Sequence, residues 1–265
     1  MHEAEVIERA ELVDIHAAAT PRERETLGLQ LTETGGALLS IVSNLPVSAI
    51  VINRALGSES IDRPTLQQIV NTYRAVGAQR YFVQLTPEAQ TADTLVSLQE
   101  LGLERSRGWQ KFVRDRAPAP AIKSDLQIRE IGPEHGQDFA RIACAAFDLG
   151  DAAIPWLSNL PGRPNWHFFM SFDGEKPAGV GGLFVHNKIA WMDFGATAPE
   201  FRRRGGQSAV LSARIAKALA LGCERMYTCT GVAVPGDPQH SYSNILRAGF
   251  RTDYVRDNFE PASTD

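Results

Sequence analysis

The sequence predicts a mixed α/β protein built from two similarly organised halves. Some segments repeat apolar residues at helical spacing, whereas others are short strand-like runs separated by turn residues. The order of these segments in the first half returns in the second, and a proline-containing polar stretch separates the halves. We therefore expect a first domain at 1–117, a linker at 118–125 and a second domain at 126–265.

The first half alternates helices with strands. Its helices are predicted from amphipathic spacing, and the one that begins near Asp62 ends at Gly77, a residue suited to a helix C-terminus. The predicted order is helix 8–19, strands 34–42 and 47–56, helix 62–77, strand 79–85, helix 92–102 and strand 109–115.

The second half repeats this order with more hairpins. Tight turns join three predicted strands and indicate an antiparallel meander. Apolar residues at Leu211, Ile215 and Leu219 then define one face of a helix that ends near Gly222. The predicted order is helix 133–149, an irregular segment 154–166, strands 167–172, 178–186 and 189–197, the helix after residue 205, strand 223–230, helix 240–250 and strand 250–259.

Composition restricts the classes of function. The chain has 265 residues, with 27 basic and 31 acidic side chains and a net charge of -4, which argues against general nucleic-acid binding. Its three cysteines lack a metal-binding or disulfide pattern, so we expect free thiols, no metal and a reducing compartment. The N-terminal stretch does not resemble a signal peptide, and no apolar run is long enough to cross a bilayer. A cytoplasmic protein without membrane partners is expected.

The stretch "ATAPEFRRRGGQSAVL", residues 196–211, concentrates positive charge between a predicted strand and a predicted helix. One interpretation is a solvated basic turn. The other is a phosphate site, because the first turn of a helix has free amide groups, glycine allows close approach and guanidinium groups bind phosphate oxygens. The position between a strand and an amphipathic helix favours the phosphate site.

The segment "FRRRGGQSAV" resembles the R-x-x-G-x-G/A phosphate-binding motif of the GNAT superfamily of acetyl-CoA-dependent N-acetyltransferases. Arg202 and Gly205 take the first and fourth motif positions, but Gln207 stands where the family has glycine or alanine. The resemblance covers about 126–260 and extends more faintly to the first half. It therefore implies two tandem GNAT-like folds with a degenerate N-terminal half.

The resemblance also implies how acetyl-CoA would bind. Its pyrophosphate would lie on the loop amides, and its pantetheine arm would bond to the strand backbone at Ala196 and Ala198. Asn244 resembles an asparagine that contacts CoA in relatives, although a helix-capping or surface role is the alternative. The implied cofactor-binding set is Ala196, Thr197, Ala198, Arg202, Arg203, Arg204, Gly205, Gly206, Gln207, Ser208 and Asn244.

The corresponding turn of the first half, "NRALGSESIDRP", carries acidic Glu59 and Asp62 instead of arginines. Carboxylates at this position would repel a pyrophosphate. We therefore expect one CoA per chain, bound in the second half, while the first half keeps the fold without the phosphate loop.

The catalytic groups are less well defined by sequence. Many family members place a proton-donating tyrosine four residues before the Gly-Phe pair, where this chain has Ile245. Tyr242 is the candidate replacement, with a packing or surface role as the alternative, and Asp193 is the candidate general base, with a hydrogen-bonded strand position as the alternative. Trp156 and Trp166 could line an acceptor pocket or serve as buried anchors.

These observations predict an N-acetyltransferase in which an amine attacks the thioester directly, since no Cys or Ser stands in a nucleophile arrangement. A non-catalytic acyl-CoA-binding or regulatory module is the alternative, because the usual tyrosine is absent. A doubly wound nucleotide-binding domain is disfavoured by the tight hairpins. The expected partner is a small-molecule or peptide amine, and the chain is expected to be a monomer or homodimer.

Overall fold

The computed structural model describes residues 2–46, 52–57 and 59–262. Two compact units are present: unit 1 comprises Met1–Gln110 with Tyr254–Asp265, and unit 2 comprises Lys111–Asp253. These bounds differ from the predicted ones at both ends of the second domain. The chain returns to unit 1 at its C-terminus, and the predicted linker 118–125 lies within unit 2.

Unit 1 contains four helices and the strands of a mixed sheet among its described residues. The sheet order is β1-β2-β3-β4-β11-β5, in which β3 and β4 are parallel and β11 is antiparallel to β4. The helices are α1 (Glu3–Ala17), α2 (Pro21–Leu27), α3 (Arg63–Ala75) and α4 (Ala92–Glu100), and the strands are β1 (Leu29–Thr34), β2 (Ala37–Val42), β3 (Arg54–Leu56), β4 (Phe82–Leu85), β5 (Leu103–Arg114) and β11 (Arg251–Pro261).

A buried ionic network joins α1 to two strands of unit 1. Glu8 accepts hydrogen bonds from Arg54 at 2.5 Å and from Arg256 at 2.5 and 2.9 Å. Arg256 also donates to Glu5 at 2.8 Å. Because each buried charge contacts a group of opposite sign, the network fixes α1 on the sheet without leaving an isolated charge.

Unit 2 has the strand order β6-β7-β8-β9-β10, antiparallel except for the last pair. Helix α7 crosses from β9 to the parallel strand β10, as a parallel pair requires. The strands are β6 (Gln127–Ile131), β7 (Trp166–Asp173), β8 (Lys176–His186), β9 (Ile189–Thr197) and β10 (Arg225–Gly231), and the helices are α5 (Gly136–Ala146), α6 (Ile154–Leu157), α7 (Gly206–Ala220) and α8 (His240–Arg247).

The apolar face of α7 forms the centre of a core cluster in unit 2. Leu211 and Ile215 pack with Met192 of β9 and Met226 of β10. Ile245 of α8 belongs to the same cluster. The burial of this face fixes where the first turn of α7 lies relative to the end of β9.

The predicted mixed α/β class and most elements are confirmed. Helix α2 and strands β1 and β6 were not predicted. The two strands are short and carry polar or charged residues at most of their positions. Part of the predicted strand 47–56 lies outside the described residues, and the described part forms β3. No helix in the described ranges is both long and apolar enough to span a membrane.

Candidate functional site

The loop between β9 and α7 presents free amide groups. Arg203 and Gly205 both have left-handed backbone, with φ of 66° and 78°, and the N-cap of α7 has no side-chain hydrogen bond. The first helical hydrogen bond runs from Ala209 N to Gly205 O. In the described chain, no acceptor pairs with the amides of residues 203–208. Left-handed residues next to a helix N-terminus form concave amide sites that bind anions.

The three consecutive arginines divide into two groups. Arg204 pairs with Asp125 at 2.5 Å and with Asp173 at 2.8 Å. Hydrogen bonds from Arg204 lower the pKa of both carboxyls. Arg202 and Arg203 are exposed, and neither has an ion-pair partner among the described residues. The Arg204 guanidinium is held by these two carboxylates and secures the loop, whereas the side chains of Arg202 and Arg203 are available; phosphate binding by the three arginines stays a prediction.

Gly205 is required by its left-handed backbone and by close packing against a backbone carbonyl, and Gly206 packs closely against a side chain. A Cβ on Gly205 would lie 2.8 Å from the carbonyl oxygen of Lys123, and one on Gly206 would lie 2.8 Å from Leu126 Cδ1. Ser124 Oγ also donates to the carbonyl of Arg204 at 2.9 Å. Residues 123–126 thus support the loop from behind, so a side chain at Gly205 would disturb folding as well as any ligand.

Gln207, which departs from the family motif, links the first turns of α7 and α8. Its Oε1 accepts a hydrogen bond from Asn244 Nδ2 at 2.7 Å, and its Nε2 donates to Ser241 Oγ at 3.4 Å. The side chain is therefore directed toward α8, and its backbone amide remains among the free groups of the loop. Asn244 therefore lies beside the loop with its amide nitrogen donating to Gln207, and its contact with CoA stays a prediction.

Strands β9 and β10 separate next to this loop. Their parallel register ends at the pair Met192 and Thr228, where Thr228 Oγ1 donates to Met192 O at 2.8 Å. Beyond that pair, β9 continues to Thr197 and β10 continues to Gly231. The separation leaves one edge of β9 open to an extended ligand that could continue from the loop.

At the open edge of β9, the backbone groups of Thr197 face outward, whereas those of Ala196 and Ala198 do not. Ala198 N donates to Ala178 O at 2.9 Å, and Ala198 O accepts from Phe201 N at 2.9 Å. Residues two apart on an antiparallel strand face the same neighbour, so Ala196, paired with Val180, also turns toward β8. The predicted backbone contacts at Ala196 and Ala198 are therefore wrong, because both residues are used by the sheet, whereas Thr197 faces the separation.

A bulge interrupts β9 at the start of the open edge. The register with β8 passes from Gly182 and Asp193 to Val180 and Ala196, which leaves one extra residue on β9. Phe194 has φ of 53°, and its amide donates to Asp193 Oδ1 at 2.6 Å. Asp193 thus lies at the point where the strands separate, half-buried, with one carboxylate oxygen occupied.

Tyr242 lies on α8 with its ring against Phe112, at a centroid distance of 5.0 Å. Its hydroxyl has no hydrogen-bond partner among the residues the structure describes. Ile245, which holds the position of the family tyrosine, is 7% exposed and belongs to the core. Proton donation by Tyr242 and proton acceptance by Asp193 remain predictions.

The irregular segment does not provide an aromatic acceptor pocket. Trp156 and Trp166 are 0% and 4% exposed, so they act as buried anchors. Among the described residues, no group of His, Cys, Asp and Glu could hold a metal ion.

The equivalent helix of unit 1 has a different first turn. Asp62 is the N-cap of α3, and its carboxylate accepts from Thr65 N at 2.9 Å. Hydrogen bonds from Thr65 lower the pKa of this carboxyl. A carboxylate therefore already occupies the helix N-terminus where a phosphate would bind, as the acidic residues of this turn suggested.

Sequence reasoning missed Arg214 and the bulge residue Phe194. Arg214 lies three residues after Leu211 and four before Ala218, on the apolar face of α7. An arginine on such a face is the signal that could have identified a buried cation. A bulge with a non-glycine left-handed residue has no comparable sequence signal.

Comparisons with known proteins agree with this architecture. The acetyltransferase (GNAT) family model matches residues 138–241. A search of curated protein sequences finds no match.

Several solved structures share the fold. A GCN5-related N-acetyltransferase from Kribbella flavida has a TM-score of 0.68 and 13% identity, over 100% of this chain and 97% of that one. One from Sphaerobacter thermophilus has a TM-score of 0.61 and 13% identity, over 93% and 88%. A tandem GNAT protein from the clavulanic acid biosynthesis pathway has a TM-score of 0.55 and 14% identity, over 88% and 82%. The chain therefore has a tandem GNAT-like fold, and residues 138–241 match the acetyltransferase (GNAT) family model.

Proposed function

We propose that unit 2 binds acetyl-CoA and transfers its acetyl group to an amine. The observation that carries this proposal is the uncapped loop of residues 203–208, located where β9 leaves β10 and flanked by two exposed arginines. The GNAT-family domain supports acyl transfer as the reaction class. The acetyl donor and the amine acceptor are part of the proposal.

The site has suitable groups for each portion of CoA. The amides of residues 203–208 would hold the pyrophosphate, with Arg202 and Arg203 adding charge-assisted hydrogen bonds. The outward backbone of Thr197 would pair with a pantetheine amide as a short additional strand. This arrangement would direct the thioester toward the bulge at Phe194.

The transfer would form one bond and break one. The amine nitrogen attacks the thioester carbonyl carbon, the C–N bond forms, the C–S bond breaks, and the products are an amide and the free CoA thiol. One amine proton must leave and the thiolate must gain a proton. We propose Asp193 as the acceptor, because its second carboxylate oxygen has no hydrogen bond from a described residue, and Tyr242 as the donor.

A second candidate function is a non-catalytic acyl-CoA-binding module. It is favoured by the buried Ile245 at the position of the family tyrosine and by the packing of the Tyr242 ring on Phe112. A binding module would hold acyl-CoA on the same loop as the enzyme, and it would differ from the enzyme only in that it transfers no acyl group.

The two candidates are separated by acetyl-CoA binding followed by thiol release in the presence of amines. The panel would contain simple primary amines, amino acids, aminoglycosides and peptides with free N-termini or lysines. Release accelerated by an acceptor supports the enzyme. Binding without acceleration for the whole panel supports the module, and no binding at millimolar acetyl-CoA would contradict both.

A further inference from the structure

Arg214 is a buried cation directly behind the bulge of β9. The residue is 4% exposed and extends from α7 toward the sheet. Its Nη1 donates to the carbonyl oxygens of Gly182 and Asp193, each at 3.0 Å. These two residues form the last regular pair between β8 and β9 before the bulge. One guanidinium group therefore bridges both strands where their ladder is interrupted.

The surrounding backbone leaves room for this side chain. A Cβ on Gly181 would lie 2.7 Å from the guanidinium carbon of Arg214, and one on Gly195 would lie 3.6 Å from Nη2. The position of Arg214 therefore requires glycine at 181, whereas the ordinary contact distance at Gly195 places the guanidinium next to the bulge.

The charge of Arg214 has no direct carboxylate partner. Its Nε has no hydrogen bond, and no ion pair includes it among the described residues. The carboxylate of Asp193 interacts electrostatically with Arg214 without forming an ion pair, and it accepts a hydrogen bond from the Phe194 amide. Burial lowers the pKa of Arg214 to about 10, so the group remains protonated at neutral pH. Burying a guanidinium with only two carbonyl partners costs desolvation free energy. An apolar side chain would fill the same space without this cost, so packing alone does not account for an arginine here.

We propose that Arg214 is a positioning residue that holds the β9 bulge in the conformation needed to receive the acyl carbonyl. Its two hydrogen bonds tie β8 to β9 at the last regular pair and fix Phe194 and Gly195 beside the open edge. Its positive charge, close to Gly195, also polarises a carbonyl bound there. The acyl part of this inference rests on the proposed function, whereas the bulge part does not.

The first test measures the bulge without a ligand. Hydrogen exchange of the amides in residues 193–197 is compared in wild type, Arg214→Met and Arg214→Lys. The matched control is Lys217→Met. This change also removes a cation from α7, but Lys217 pairs with Glu130 and does not contact the bulge carbonyls. We expect at least tenfold faster exchange in Arg214→Met, an intermediate rate in Arg214→Lys and no change in the control. A folded Arg214→Met protein with unchanged exchange would overturn the proposal.

The second test measures the bound acyl group. Isotope-edited infrared spectra are recorded with acetyl-CoA labelled at the thioester carbonyl carbon. In wild type, the carbonyl stretching band of the bound ligand should lie at lower frequency than that of free acetyl-CoA. Arg214→Met should lose most of that shift, while the dissociation constant for free CoA changes less than twofold. An unchanged band in Arg214→Met would contradict the role in acyl binding.

The outcomes remain distinguishable. If wild type binds no CoA, the proposed function fails, and the exchange experiment still decides the role of Arg214 in the bulge. If Arg214→Met does not fold, Arg214→Lys decides, because it keeps the charge but loses the planar pair of donors. Exchange at the wild-type rate in Arg214→Lys would overturn the proposal, because the planar pair of donors would then not be needed to hold the bulge.

Discussion

At the scale of single residues, the consecutive arginines are expected to differ in effect. Alanine at Arg202 or Arg203 should weaken CoA binding about tenfold each, because each change removes a charge-assisted contact to phosphate. Alanine at Arg204 should mainly lower the thermal midpoint, because it frees Asp125 and Asp173.

Titration calorimetry and thermal unfolding separate these effects. Arg141→Ala is the control, since this arginine is exposed and pairs with Asp138 on α5. If alanine at each of the three loop arginines weakened CoA binding equally, and alanine at Arg204 left the thermal midpoint unchanged, the proposed difference between Arg204 and the other two arginines would be refuted.

His16 is expected to make unit 1 sensitive to mild acid. Burial, with Arg24 and Arg54 nearby, lowers the pKa of this imidazole from 6.5 to about 4. Between these values the unfolded chain binds a proton that the folded chain does not, so stability rises with pH. His16 should therefore account for a loss of about 2 kcal/mol of unfolding free energy between pH 7.5 and pH 5.

The measurement is urea unfolding at both pH values in wild type and His16→Gln. The glutamine side chain does not titrate and can still hydrogen-bond Ser40, the partner of His16 at 2.8 Å. The variant should lose less stability on acidification. An identical loss in both proteins would exclude His16 as the cause.

At the scale of elements, the first turns of α3 and α7 have opposite electrostatics. Aspartate at position 208, the third residue of α7, should stabilise the helix by about 0.5 kcal/mol while repelling phosphate. Ser208→Asp should therefore lower CoA affinity by at least tenfold without loss of stability. A glutamate at position 205 would be a less selective test, because a Cβ on Gly205 would lie 2.8 Å from Lys123 O.

The control for this prediction lies in unit 1. Asp62→Ala removes the cap of α3 and should lower the thermal midpoint, but it should leave CoA affinity unchanged. Loss of CoA binding in Asp62→Ala would indicate a CoA site in unit 1 and contradict the proposed site in unit 2.

The separation of β9 and β10 makes Cys229 a reporter of occupancy. Cys229 follows Thr228, the last residue of β10 that pairs with β9, and is partly exposed. Cys144 and Cys223 are buried, and burial raises the pKa of both thiols, to about 12 for Cys144.

N-ethylmaleimide should therefore modify Cys229 first in the native protein. Saturating CoA should slow this reaction at least tenfold, as measured by peptide mass spectrometry. Equal rates with and without CoA would show that the ligand does not cover this edge.

At the scale of the whole molecule, the sequence predicted the class of fold and the location of the loop because both depend on local patterns. Helical periodicity, hairpin turns and the Arg-Gly segment are all readable within short windows. The roles of Arg204 and Ala198 were not readable, since they depend on Asp125, Asp173 and Ala178, which are distant in sequence. The Phe194 bulge likewise results from strand pairing rather than from residue preference.

The central claim is that one CoA binds per chain, with its pyrophosphate on the first turn of α7. Titration calorimetry of CoA against wild type and Ser208→Asp, supported by matched thermal midpoints, tests this claim most directly. The account predicts a stoichiometry of one in wild type and at least tenfold weaker binding in Ser208→Asp at unchanged stability. Unaltered affinity in the folded variant, or two equivalent sites per chain, would contradict it.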